Sequence, residues 1–171
     1  MDSYTDLAKK AVEEFIQNHK TIDTPNNLSQ EMYTKKAGVF VTLFYGNELR
    51  GCIGTYLPYH ENIAKEIIDN AVSACSKDNR FYPITPDELP ELRYEVSILS
   101  VPQYISDIST HDPQKYGIIV KTHDGRCGLL LPHLEGIDRV EQQIEIASQK
   151  GGINPLSDGV SYYQFTVEKH A

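Results

Sequence analysis

The chain repeats one order of predicted elements. In each of two passes, a strand, a turn that contains glycine and a second strand ending in Leu-Pro are followed by a helix and a further strand. The Leu-Pro pairs are Leu57-Pro58 and Leu131-Pro132. Because short turns join antiparallel strands, this order predicts an α+β fold with helices packed on mainly antiparallel sheet. It also suggests an internal duplication of a hairpin–helix–strand unit, whose strands would form either one large sheet or two subdomains.

Apolar spacing predicts helices in three places. Residues 1–20 contain apolar positions at intervals of three and four, which predicts a packing helix. A second apolar stripe follows the first hairpin and ends at Cys75, which is therefore predicted to lie in the core. A third helix is predicted after Asp138. Alternating apolar and polar residues then predict one last strand over Val160–Glu168.

Charge and composition argue against some classes of protein. The chain has 24 acidic and 16 basic residues, and its net charge of −8 argues against nucleic-acid binding, since that needs a dense set of lysines and arginines. No apolar run approaches the roughly 18 residues that indicate a membrane span, and the N-terminus lacks the features of a signal peptide. Three cysteines without CxxC spacing fit a reducing compartment. We therefore expect a cytoplasmic protein with no membrane contact.

The stretch Leu49–Gly54 is the strongest candidate for a site. Side chains alternate along a strand, so Arg50, Cys52 and Gly54 are predicted to share a face, with Gly51 on the other. A neighbouring guanidinium lowers the pKa of a thiol, and Gly54 leaves room beside the sulfur for a substrate. Cys52 is therefore a candidate catalytic nucleophile, with Arg50 as its activator and the glycines as spacers. The alternative is that Cys52 is a small buried hydrophobic residue, as free cysteines often are.

Arg80 is a second candidate for binding. It lies in the turn after the second predicted helix, directly before Phe81 and Tyr82. An arginine in a loop beside aromatic residues can bind a carboxylate or a phosphate. It can equally pair with Asp78 or Glu88 and only fix the loop. The predicted binding residues are thus Arg50, Gly51, Gly54 and Arg80.

The sequence predicts neither a metal site nor a cofactor. None of the six histidines has HxxxH spacing, no Cys–His pair has the spacing of a zinc finger, and no glycine-rich phosphate loop occurs. His60 and His133 follow the two Leu-Pro pairs, so one of them is a candidate base for Cys52. The alternative is that both are ordinary loop histidines. Cys127 directly follows Arg126, which predicts opposite faces, and it is interpreted as structural.

Several stretches carry a resemblance to a known family. They are Ala37–Val41, Leu49–Thr55, Asn62–Ala64, Arg80-Phe81 with Pro83, Tyr116–Val120, Gly128–Pro132 and Phe165–Val167. Together they resemble the AMMECR domain family, whose prokaryotic branch is called AmmeMemoRadiSam system protein A. The resemblance covers nearly the whole chain and implies a single AMMECR-type domain over residues 1–171. It further implies two closely associated subdomains, placed near residues 38–101 and 116–169.

The resemblance implies partners but no settled activity. Prokaryotic members of the family occur with, or fused to, Memo-type proteins that look like extradiol dioxygenases, and with a radical-SAM protein. Three hypotheses follow. The first is an enzyme, or a subunit of one, that handles a small-molecule ligand at a cleft around Arg50, Cys52 and Arg80. The second is a non-catalytic module in which Leu49–Gly54 docks a Memo-type partner. The third is a regulator that binds nucleotide or nucleic acid, which the net charge disfavours.

Overall fold

A computed structural model, which describes residues 2–171, divides the chain into two units. The first comprises residues 2–99 and 168–171, and the second comprises residues 100–167. The predicted subdomains differ from these units at their ends. The first unit includes the N-terminal packing helix and the last four residues of the chain, and the second includes the connection from residue 100 to residue 115.

Within residues 2–171 there are four helices and eight strands. The helices are α1 (Ser3–Asn18), α2 (Gln30–Thr34), α3 (Ile63–Ser76) and α4 (Val140–Lys150). The strands are β1 (Gly38–Tyr45), β2 (Glu48–Thr55), β3 (Leu92–Leu99), β4 (Gln103–Tyr104), β5 (Gly117–Thr122), β6 (Cys127–Leu130), β7 (Val160–Phe165) and β8 (Val167–His170). Short 3₁₀ helices lie at Pro86–Glu91 and Ile108–Thr110. No helix in the described range is both long enough and apolar enough to cross a membrane.

Each unit has one four-stranded sheet, and the two sheets share an order of strands. The first sheet has the order β2-β1-β3-β8, and the second, taken from its other edge, has the order β6-β5-β7-β4. In both sheets, the first strand of the hairpin lies between its hairpin partner and the strand that follows the helix. In the first sheet β1 lies between β2 and β3, and in the second β5 lies between β6 and β7. Both of these pairings are antiparallel in both sheets. The α+β class is therefore confirmed, whereas an origin by duplication stays a prediction.

The predicted last strand is wrong in one respect, because it is two strands. The stretch Val160–Glu168 is interrupted at Thr166, and β7 joins the second sheet while β8 joins the first. At the break, the backbone N–H of Ser100 donates to the Thr166 carbonyl at 3.0 Å, and the Thr166 N–H donates to Ser100 Oγ at 2.8 Å. Alternation continues through the break, so the apolar pattern alone does not reveal it.

The core of the first unit lies between its helices and one face of its sheet. Val39, Val41 and Leu43 alternate along β1 and are buried with the apolar stripes of α1 and α3. Burying such a side chain contributes about 1.5 to 3 kcal/mol. Cys75 is buried in this core, as predicted, and burial raises the pKa of its thiol to about 11. A smaller cluster in the second unit includes Ile118, Val120, Leu130, Ala147 and Ile153.

Two glycines at matching positions let each helix lie close to its sheet. A Cβ atom at Gly51 in β2 would overlap the carbonyl oxygen of Ala74 in α3. A Cβ atom at Gly128 in β6 would overlap the carbonyl oxygen of Ala147 in α4. Only glycine therefore fits at these points of close backbone approach.

The matching glycines change how the two passes correspond. The sequence pairs Cys52 with Cys127, because each follows an arginine closely. The packing instead makes Gly51 equivalent to Gly128, so that Cys52 corresponds to Leu129. The second unit therefore has no thiol at the position of Cys52.

We expect Gly51→Ala and Gly128→Ala to destabilise the protein. The added methyl group has to push a helix backbone away from the sheet, and overpacking of this kind costs about 1 to 3 kcal/mol or more. Urea denaturation followed by circular dichroism measures the loss as a lower midpoint. Gly159→Ala is the control, because a Cβ there meets only the side chain of His123, at 3.3 Å. Midpoints equal to that of the control would contradict the packing role of the two glycines.

Candidate functional site

β2 is an edge strand, and a β-bulge interrupts it at Arg50. The strand lies at the end of the first sheet and pairs there with β1. Leu43 of β1 pairs with Gly51. The next residue of β1, Phe44, pairs with Leu49, so Arg50 is an extra residue in β2. The bulge breaks the regular alternation on which the predicted shared face of the arginine and the cysteine depends.

Asp78 and Arg80 close the outer edge of β2 at Cys52. The backbone N–H of Cys52 donates to Asp78 Oδ2 at 2.9 Å. The carbonyl of Cys52 accepts from Arg80 Nη2 at 3.4 Å. A neighbouring strand would supply one acceptor and one donor in the same way. The turn after α3 therefore takes the place of a further strand at this residue.

Asp78 and Arg80 also form a bidentate ion pair. Arg80 Nε donates to Asp78 Oδ1 at 3.0 Å, and Nη2 donates to Oδ2 at 2.8 Å. The Asp78 side chain is only 4% exposed, whereas that of Arg80 is 54% exposed. The hydrogen bonds from Arg80 are the largest cause of the lowered pKa of Asp78, which is about 2, and the Cys52 N–H lowers it further. Of the two partners considered for Arg80, the structure has Asp78.

Arg50 pairs with Glu88 and holds the loop after α3. Its Nε donates to Glu88 Oε1 at 2.6 Å, and its Nη2 donates to Oε2 at 3.1 Å. Its Nη1 donates to the carbonyl of Tyr82 at 2.9 Å, and Nη2 also reaches the carbonyl of Pro83 at 3.4 Å. These bonds occupy most of the donors of the guanidinium, and the bonds to Glu88 lower the pKa of that carboxyl group. The role of Arg50 as an activator of the thiol stays a prediction.

The thiol of Cys52 lies beside a hydroxyl group and is half-buried. Its Sγ is 3.1 Å from Thr42 Oγ1, within hydrogen-bond distance. The pKa of Arg80 is raised chiefly by its hydrogen bonds to Asp78, with a smaller contribution from the charge of Cys52. Arg80 is therefore a guanidinium whose charge acts on the thiolate form of Cys52.

The two glycines of the stretch meet the backbone of their own unit. Gly51 lies against α3, as described above, and a Cβ at Gly54 would overlap the Val39 carbonyl and the Cα of Phe40 in β1. This packing explains why both positions require glycine. Their role as spacers for a ligand stays a prediction.

The turn after α3 borders a surface depression of about 630 Å³. Its lining consists of Arg50, Asn79, Arg80, Phe81 and Tyr82. The guanidinium of Arg80 lies over the Phe81 ring, 5.4 Å from the centroid, at a distance typical of cation–π contacts. Tyr82 is 91% exposed at the same depression. Both arginines that were predicted to bind a ligand, Arg50 and Arg80, thus line the same depression.

The two candidate histidines have partners of their own. His60 Nε2 lies 3.2 Å from Asp69 Oδ2, and His133 Nδ1 lies 3.0 Å from Gln114 Oε1. A histidine base for Cys52 stays a prediction. In the part of the chain that the structure describes, no three His, Cys, Asp or Glu side chains are grouped as a metal ion would require.

Two residues of the site have roles that sequence reasoning missed. The sequence predicts Asp78 only as a partner for Arg80 and does not predict its hydrogen bond to the backbone of Cys52. It predicts no role for Thr42. The register of β1 against β2 would have placed Thr42 opposite Cys52, but the bulge hides that register in the sequence.

These features define a class of protein: an α+β chain of two hairpin–helix–strand units with an arginine-lined depression beside an edge strand. The family model described as AMMECR1 matches residues 5–170. The chain belongs to the AMMECR1 family, and the resemblance expected from the sequence is confirmed.

Individual relatives and a solved structure agree with this assignment. A protein of Thermotoga maritima is 46% identical over 168 residues, which cover 98% of this chain and 96% of that protein. A protein of Clostridium acetobutylicum is 41% identical over 98% of this chain, but the match covers only 34% of the Clostridium protein. The crystal structure of uncharacterized protein PH0010 from Pyrococcus horikoshii is similar with a TM-score of 0.88 and 31% identity, over 97% of this chain and 88% of that chain.

We expect Asp78 to make stability depend on pH between about 4 and 2. Its pKa of about 2 lies below the value of about 3.9 in an unfolded chain, so its ionised form stabilises the fold above pH 4. This contribution, about 2 kcal/mol, is lost as the pH falls toward 2. In urea denaturation, Asp78→Asn should be less stable than wild type at pH 7 and lose less stability between pH 4 and 3.

Asp23→Asn is the matched control for this experiment. Asp23 is an exposed aspartate of the same unit, and its replacement should leave the pH dependence of the wild type in place. The role of Asp78 would be refuted by an Asp78→Asn variant that loses stability between pH 4 and 3 as steeply as the wild type.

Proposed function

We propose that the chain binds a small anionic molecule at the depression and that the thiol of Cys52 is the reactive group. Cys52 is not among the lining residues, but its carbonyl accepts a hydrogen bond from Arg80, which is one of them. The observation that carries this proposal is the arrangement of Arg80. This cation is fixed by a buried carboxylate, packs over an aromatic ring, interacts with a cysteine and keeps part of its guanidinium for a ligand.

Arg80 retains hydrogen-bond donors that its own chain does not use. Its Nε and Nη2 donate to Asp78 and Cys52, and within residues 2–171 its Nη1 has no hydrogen-bond partner. A carboxylate or phosphate oxygen is the usual acceptor for such donors. Asp78 and Glu88 balance the charges of the two arginines at the depression. We therefore expect directed hydrogen bonds, rather than net charge, to select the ligand.

The surroundings of Cys52 support a reactive thiol. The nucleophilic form of cysteine is the thiolate. The Thr42 hydroxyl can donate a hydrogen bond to a thiolate, and the charge of Arg80 favours it. The carboxylate of Asp78, which binds the Cys52 N–H, opposes the thiolate by its charge. Pairing with Arg80 reduces that opposition, so the three side chains act together on the sulfur.

The test compares alkylation of Cys52 by anionic iodoacetate and by neutral iodoacetamide at pH 7. In both reactions the thiolate sulfur bonds to the CH₂ carbon and iodide leaves. The ratio of the two rate constants, divided by the same ratio for N-acetylcysteine, isolates attraction of the anion. In the wild type we expect this normalised ratio to favour iodoacetate about fivefold, as one hydrogen bond of about 1 kcal/mol would give. In Arg80→Gln we expect no preference for either reagent. Mass spectrometry of the Cys52 peptide supplies both rates.

Arg93→Gln is the matched control for the alkylation test. Arg93 is an exposed arginine of the same unit that also lies over an aromatic ring, that of Phe44, at 5.1 Å. Its replacement should leave the preference for iodoacetate unchanged. The proposal fails if the wild type shows no preference, or if Cys52 reacts no faster than a free peptide thiol or only after unfolding.

A second candidate function is docking of a protein partner at the same depression. The observation that favours it is Tyr82, an aromatic side chain almost fully exposed beside two arginines. Tyrosine and arginine are among the residue types that are enriched at the energetic centres of interfaces. The Memo-type protein and the radical-SAM protein that the family resemblance implies are the partners we propose to test.

If the docking function is correct, Tyr82→Ala should weaken binding of a purified Memo-type protein about tenfold or more. Arg50→Ala should also weaken it, because this change releases the loop that presents Tyr82. Cys52→Ser should bind as the wild type does, since docking does not need the thiol. Tyr104→Ala, at an exposed tyrosine in the second unit, is the control in this pull-down. Equal retention of all variants would argue against docking at the depression.

A further inference from the structure

The second unit has a cavity of its own, and none of its lining residues belongs to the first site. Its volume is about 390 Å³, within the range of small-molecule sites. It lies between α4, the loop that follows α4, and β7. The proposal made for Cys52 and Arg80 does not involve any of these residues.

Most of the cavity wall is apolar. Ile144 comes from α4, Ile153 and Leu156 come from the loop after it, and Tyr162 comes from β7. Leu156 is 97% exposed, so its side chain offers apolar surface to a molecule at this cavity. A ligand that fills this space would therefore need an apolar body.

Two carboxylates border the same cavity on one face of α4. Glu141 and Glu145 are four residues apart, so they are neighbours on the helix surface, and both are exposed. Like charges at this spacing destabilise a helix slightly. In the described part of the chain neither forms an ion pair, and no lysine or arginine lines the cavity. The local charge of the cavity is therefore negative and favours a cation.

A buried hydroxyl group provides an independent sign of a ligand. Ser148 lines the cavity and is only 1% exposed. Its Oγ has no hydrogen-bond partner among residues 2–171. Buried polar groups are nearly always paired, and an unpaired one needs an explanation. It lies one turn along α4 from Ile144, on the face that carries the carboxylates.

We propose that this cavity binds a small molecule in which a primary ammonium group is joined to an apolar body. The apolar body fills the space between Ile144, Ile153 and Tyr162. The ammonium group lies at the carboxylates of Glu141 and Glu145 and donates a hydrogen bond to Ser148 Oγ. Such a ligand supplies each missing interaction: apolar contact, positive charge and a donor.

The test is a ¹H–¹⁵N NMR titration of the full chain at pH 7 with three probes of one length. These are n-hexylamine, 1-hexanol and hexanoate. We expect n-hexylamine to shift the amide signals of Ile144, Ser148 and Ile153 in a saturable way. Hexanol should bind at least two- to fivefold more weakly, the factor expected for an exposed ion pair. Hexanoate should produce no localised shifts.

Variants separate the charge from the hydroxyl group. Glu145→Gln should lower the affinity for n-hexylamine about two- to fivefold and leave the affinity for hexanol unchanged. Ser148→Ala should lower the affinity for n-hexylamine about fivefold. The variant should fold, since alanine has a higher helix propensity than serine. Glu135→Gln, at an exposed glutamate of the same unit outside the cavity, is the control and should bind as the wild type does.

Three results would overturn the proposal. The first is the absence of localised shifts with n-hexylamine. The second is binding of hexanoate as tight as that of the amine. The third is an equal loss of amine affinity in Glu135→Gln and Glu145→Gln, which would mean that general charge and not the cavity attracts the probe.

Discussion

A carboxylate that is almost withdrawn from water has to be paired, because an ionised side chain in that position is costly unless charges and hydrogen bonds compensate it. Asp78 meets this requirement with the backbone N–H of Cys52 and with both the backbone and the guanidinium of Arg80. The turn after α3 is thereby attached to the edge of β2. Arg50 attaches the same loop a few residues further on, through the carbonyl of Tyr82. The depression exists because the loop is held at both points.

This attachment also limits how a partner can bind. An exposed edge strand offers unpaired N–H and C=O groups, and a partner can add a strand to it. At Cys52 both outward groups are already bonded, to Asp78 and to Arg80. The glycines of β2 lie against α3 and β1 and leave no gap there for a second backbone. A docking partner would therefore contact side chains at the depression, Tyr82 above all, rather than extend the sheet.

The sequence predicts the elements of this fold better than their pairing. Period-two and period-3.6 patterns predict the hairpins, the helices α1, α3 and α4, and the buried Cys75, because local burial alone produces them. The short helix α2 has no such pattern and was not predicted. Pairing between distant strands leaves no such pattern, so the break at Thr166, where the last strand changes sheet, was not predicted. The bulge at Arg50 was not predicted for the same reason, since the register of β1 against β2 defines it. The sequence leaves two carboxylates, Asp78 and Glu88, as possible partners for Arg80. Residue types alone do not show whether an arginine pairs with a carboxylate two residues away or with one across a loop.

The second unit helps to separate scaffold from site in the first. Arg126 lies directly before edge strand β6 and donates to the carbonyl of Gly152, in the loop after α4, at 2.7 Å. It also pairs with the carboxylates of Asp124 and Asp158. Arg50 does the same in the first unit with the carbonyl of Tyr82 and with one carboxylate. An arginine that ties the edge strand to the loop after the helix is thus common to both units, which is the expected behaviour of a structural residue. Arg80 has no such counterpart in the arrangement of the second unit, where the position of the thiol is occupied by leucine. A guanidinium satisfied by its own chain holds a loop, whereas one that keeps a nitrogen free can bind a ligand, and this difference favours Arg80 over Arg50 as the ligand-binding arginine.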